Sequence, residues 1–90
     1  MNFVKIKKGY ILRQVNDKFL VAAIGKESKK FAGYILLNDT GVFLWKKLEK
    51  GIDESKLCNF FMEEYGIDRN TAQKDIEEFL KPLKGANIIE

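Results

Sequence analysis

The side chains that most often carry out chemistry are scarce in this chain. It has no histidine, a single cysteine, Cys58, and two serines, Ser28 and Ser55. A nucleophile needs a neighbour that takes its proton, and neither a thiol nor a hydroxyl finds an imidazole here. Cys58 lies beside the apolar stripe of Leu57, Phe60 and Phe61, which reads as packing. The carboxylate pairs Glu63-Glu64 and Glu77-Glu78 are sequence neighbours. On a helix such neighbours point about 100° apart, so they read as solvated faces, not as an acid and its base. Gly25, Gly33 and Gly41 are too widely spaced for a phosphate-cradling loop, and no cluster has the spacing of metal ligands. No catalytic, metal or cofactor-binding residue is assigned. The expected function is binding, without an enzyme activity.

A binding protein is read from the elements that present its surfaces. The first third of the chain is rich in aromatic and β-branched residues without a helical period: "FVKI", "GYILRQV", "KFLVAAIG" and "FAGYILLN". Asn16-Asp17 marks a hairpin turn, "GKESKK" at residues 25–30 a charged exposed connection, and Phe31 to Leu37 a third strand. The period then changes. Leu37-Asn38 with Val42, Ile52-Asp53 with Leu57, and Ile67-Asp68 with Ala72 each place an apolar residue, a capping residue and a second apolar residue in the pattern of a helix start. Helices are expected at about 38–50, 53–65 and 68–84, with Gly51 and Gly66 as stops. Pro82 is expected to kink or end the last one, and "NIIE" is either a short strand or an apolar tail.

The fold expected from this order is α+β and winged-helix-like, a three-stranded antiparallel sheet at about 3–37 followed by a three-helix bundle, in one domain over residues 1–90. No run approaches the length of a membrane span, and a lone cysteine suits a reducing compartment, so a cytoplasmic location without membrane attachment is expected. Charge is divided. Met1 to Lys50 carries eleven Lys or Arg against four acids, and Gly51 to Glu90 five against nine.

Three binding modes fit these elements. A winged-helix DNA-binding regulator would present Arg69, Asn70, Gln73 and Lys74 to bases and Lys84 to a phosphate. Asp75, Glu77, Glu78, Glu63 and Glu64 would then face the same backbone with the wrong sign. Peptide capture would use the strand Phe31 to Leu37, last in its sheet, as an open edge. Self-association through that edge is the third mode.

The segments "FAGYILLNDTGVFLWKKLEKG" and "EEYGIDRNTAQKDIEEFLKPLKGANII" resemble the PqqD family, the stand-alone recognition element of pathways that make ribosomally synthesised, post-translationally modified peptides. Leu37-Asn38-Asp39-Thr40-Gly41, Trp45, Leu48, Gly51, Tyr65, Ala72, Asp75-Ile76, Phe79, Leu80 and Leu83 carry the resemblance. It implies a non-catalytic domain that binds the leader of a precursor peptide and presents it to a modifying enzyme, often a radical S-adenosylmethionine enzyme. The leader would add as a strand to the third strand and pack on the third helix. That assigns Ala32, Gly33, Tyr34, Ile35, Leu36 and Leu37 to strand pairing, and Ala72, Asp75, Ile76 and Phe79 to the facing helix. Asn87 and Pro82 depart from the family pattern at the groove's end.

Along the strand, Tyr34 and Leu36 alternate with Ile35 and Leu37, so one pair faces the core and the other faces out. The basic first half suggests that acidic leader residues assist capture. If surface charge contributes, raising salt from low to about 0.5 M weakens peptide binding, as titration calorimetry would report; an unchanged affinity would remove charge from the account.

Overall fold

The three helix starts are closed by the capping side chains that the sequence marks. The computed structural model describes residues 2–29 and 33–90. Helix α1, Asp39–Glu49, begins where the Asn38 side chain accepts from the Gly41 amide at 2.9 Å. Helix α2, Glu54–Tyr65, begins at Asp53, which accepts from the Ser55 amide at 2.9 Å. Helix α3, Arg69–Gly85, begins at Asp68, which accepts from the Thr71 amide at 2.7 Å. Each bond satisfies an amide that has no carbonyl partner inside its helix. Gly66 ends α2 with φ +61°, and Gly51, just past α1, has φ +86°, a region costly to side chains with a Cβ. α3 runs three residues beyond Pro82, to Gly85. Proline sits within the last turn, where the helix has little left to lose, so it does not end the helix as its type suggests.

Strands β2, Tyr10–Val15, β3, Lys18–Ala23, and β4, Tyr34–Leu37, form an antiparallel sheet in the order β2-β3-β4. Asn16 turns the β2–β3 hairpin with φ +58°, as its tolerance of left-handed backbone suggests. The charged connection after β3 is a short 3₁₀ turn, Gly25–Lys29, in which the Ser28 hydroxyl donates to the Gly25 carbonyl at 2.6 Å. The expected third strand is described from Tyr34 onward; Phe31 and Ala32 lie outside the described residues.

The opening strand has a different partner from the hairpin. β1, Phe3–Val4, pairs antiparallel with β5, Ile52–Asp53, in the link between α1 and α2. Ile6 bridges to Ile89, so the "NIIE" tail lies beside the start of the chain. The core between sheet and helices is built from Val21 of β3, Leu44, Trp45 and Leu48 of α1, Leu57 and Phe61 of α2, and Ala72, Ile76, Leu80 and Leu83 of α3. Trp45 is fully buried, and its indole N–H has no acceptor among the described residues. An unmet buried donor costs about 1–3 kcal/mol, while burying an indole of about 200 Å² gains about 5 kcal/mol, so packing wins. Among the described residues no helix is long and apolar enough to cross a membrane.

Two caps leave a pH signature. Bonds from the Ser55 hydroxyl and amide hold Asp53 below its ordinary 3.8, and bonds from the Thr71 amide and hydroxyl do the same for Asp68. A carboxyl depressed by folding stabilises above its unfolded pKa and loses that contribution as pH falls through its folded value. Thermal scans should therefore show a melting temperature that is level near neutrality and falls below about pH 4. Replacing both with asparagine, which still caps, should flatten part of that acid slope; an unchanged slope would place its origin elsewhere.

Candidate functional site

The outer side of β4 follows from the hydrogen-bond parity of the sheet. Val15 faces Lys18 across the two-residue turn, and the Ile24 amide donates to the Gly9 carbonyl at 2.7 Å. Both mark the same alternation, so Arg13/Leu20 and Ile11/Ala22 are bond-exchanging pairs between β2 and β3. Phe19 and Val21 must then turn their backbone groups toward β4, where they face Leu37 and Ile35. The N–H and C=O groups of Tyr34 and Leu36 point the other way, and no described strand lies on that side. Side chains divide along the same alternation. Ile35 and Leu37 pack on the core, whereas Tyr34 is 61% and Leu36 57% exposed.

The open edge leads into a groove between the β4–α1 joint and α3. One cavity of about 610 Å³ is lined by Lys18, Phe19, Leu36, Leu37, Gly41 and Phe79, among others. A second, of about 360 Å³, is lined by Thr40, Leu44, Phe61, Asp75, Glu78 and Phe79. Asn38 and Phe79 border both, so the two cavities adjoin at the joint. The groove's width at the joint is set by Gly41, where a Cβ would stand 3.3 Å from Cε1 of Phe79. Tyr65 braces the other side of the joint. Its hydroxyl donates to the Asp39 carbonyl at 3.4 Å, and its ring meets Phe43 and Phe61 edge-on. Burial of that hydroxyl raises its pKa, as do the carboxylates of Glu64 and Asp39.

The family described as Coenzyme PQQ synthesis protein D (PqqD) matches residues 11–89. The chain belongs to the PqqD family. Its fold is similar to that of TbiB1, solved in complex with the TbiA(beta) leader peptide, with a TM-score of 0.76 at 23% identity over 96% of this chain and 94% of that one. It is also similar to lasso peptide synthetase B1, solved with the leader peptide, with a TM-score of 0.74 at 21% identity over 97% of this chain and 96% of the other. No curated protein matches the chain in sequence.

Within this PqqD-family fold the residues expected to form the site separate into groups. Leu36, Leu37 and Phe79 border the larger cavity, and Asp75 joins Phe79 along the smaller one. Tyr34 and Ile35 lie in β4, Gly33 precedes it with φ +98°, and Ala32 falls outside the described residues. Ala72 and Ile76 do not join them. They are 0% and 2% exposed, and Ile76 borders a separate cavity on the opposite flank of α3 with Arg69, Gln73 and Glu77. A helix turns 100° per residue, so only a narrow stripe of α3 faces the groove, and Ala72 and Ile76 fall on the stripe that faces the core. Thr40, Leu44, Phe61 and Glu78 also line the groove, although the sequence assigns none of them to peptide binding; the three-residue spacing of Glu78 from Asp75 is the signal that places it on the same flank of the helix. Of the residues expected to read DNA, Arg69 is tied to α2. It donates to Asn59 Oδ1 at 2.7 Å and to the Cys58 sulfur at 3.7 Å, and Cys58 itself is 3% exposed.

Gly41→Ala tests the joint. Alanine gains helix propensity of about 1 kcal/mol over glycine but asks the Phe79 ring and the Asn38 cap to yield. The expected result is a folded protein of similar stability whose Phe79 ring resonances move in NMR spectra. Unmoved resonances would show that Gly41 does not position that ring.

Proposed function

We propose that this chain captures the leader of a precursor peptide by strand addition to β4 and presents the precursor to a peptide-modifying enzyme. The observation that carries the reading is the outward backbone row of Tyr34 and Leu36, which opens beside a groove floored by Leu44, Phe61 and Phe79. An extended peptide pairing with that row would satisfy exposed N–H and C=O groups, and its alternate side chains would enter the groove. The family membership and the leader-bound relatives support this reading. Residues 1–90 would act as one recognition unit, and the chemistry, radical S-adenosylmethionine chemistry among the options, would belong to the enzyme that receives the precursor.

The ladder supplies a discriminating experiment. The amide of Leu36 faces outward, so Leu36→Pro removes a donor that β3 does not use, whereas Ile35→Pro removes one that it does. Circular dichroism should show Leu36→Pro folded and Ile35→Pro destabilised. Titration with the leader of a precursor encoded near the gene should show Leu36→Pro binding about tenfold more weakly, the worth of one backbone hydrogen bond, and Lys29→Ala binding as before. A folded Leu36→Pro protein with unchanged affinity would rule out pairing at that position. Tight binding of duplex DNA without peptide binding would replace the reading altogether.

A further inference from the structure

The groove has the opposite charge to the half of the chain that supplies its edge. Its two adjoining cavities are bordered by Asp17, Asp39, Asp75 and Glu78 and, among the described residues, by one cation, Lys18. Asp75 and Glu78 lie on the flank of α3 that also carries Phe79, and both are exposed. Neither has a hydrogen-bond or ion-pair partner among the described residues. Lys74, the adjacent cation, is turned about 100° around the helix from Asp75 and makes no pair with it among the described residues. These carboxylates do not stand alone. They line a cavity that also contains the apolar Leu44 and Phe61 and that shares Asn38 and Phe79 with the cavity bordered by Leu36 and Leu37 of β4.

We propose that this groove selects leaders carrying a lysine or arginine, held by Asp75 and Glu78, next to an apolar side chain held by Phe79. The proposal rests on the strand-addition reading and adds the chemistry that chooses the peptide. Asp75 and Phe79 are one helical turn apart, about 6 Å along the axis. Successive same-side residues of an extended strand are about 6.8 Å apart. The apolar and cationic side chains are therefore two positions apart in the leader, both on the side that faces α3. An acidic leader residue at the second position would meet two carboxylates and be rejected, which reverses the charge expected from the basic first half as a whole. Lys18, at the other end of the groove beside Phe19 and Leu36, leaves room for an acidic residue only at that end.

The test is a display library of short random peptides selected against the whole protein, with the Leu36→Pro variant as the edge-blocked control. Enriched peptides should share an apolar residue with lysine or arginine two positions away. Against the D75N/E78Q double variant, both positions being exposed, a selected peptide should bind about threefold to tenfold more weakly at low salt, and its lysine-to-alanine version should bind both proteins alike. A selected peptide with its lysine changed to glutamate should regain binding to the D75K variant. Peptides enriched over the control but without a cation preference, or with an acidic one, would overturn this proposal and leave strand addition standing. No enrichment over the control would overturn both.

Discussion

The joint at Asn38 is the constraint on which the rest of this molecule depends. Its side chain accepts the Gly41 amide at 2.9 Å, and its backbone carbonyl accepts from Val42 at 2.9 Å. Immediately before it, Leu37 is the last residue paired with β3. One residue therefore ends the sheet and starts α1, and the two elements diverge with no loop between them. The floor of the groove lies at this divergence. A missing cap would fray the first turn of α1 and remove Thr40 and Gly41 from the wall opposite α3.

Two other contacts hold the joint against α3 and α2. Gly41 lets the Phe79 ring come within contact distance of the α1 backbone, and Tyr65 reaches from the end of α2 to the Asp39 carbonyl. The helices behind them are held by an apolar core around Trp45, which tolerates an indole donor unmet among the described residues because the area buried outweighs it. The site can thus be an open edge on a firm support. An exposed edge strand invites unwanted pairing, and here it is kept short, at Tyr34–Leu37 among the described residues.

The division of charge acts on two scales. Over the chain, the strand-rich half is basic and the helical half acidic. Within the groove, the acidic helix flank and the Asp17 and Asp39 carboxylates dominate, because α3 places Asp75, Glu78 and Phe79 beside the β4–α1 joint. At about 0.1 M salt, charges more than about 10 Å apart are largely screened, so the local sign in the groove counts there for more than the total does.

Local chemistry made much of this legible from the sequence. The three caps, the Asn16 turn, the stops at Gly51 and Gly66 and the apolar stripe of α3 are each determined by residues within one turn of each other, and each formed as its residue types require. What depends on distant residues could be decided only by the tertiary structure. The outward pair of β4 is set by the parity of a ladder that begins at a turn some twenty residues away. The partner of β1 is a two-residue strand, too short to show any period. Ala72 and Ile76 left the groove for the core because the angle at which α3 packs chooses which stripe is buried, and one apolar stripe reads the same whichever neighbour covers it.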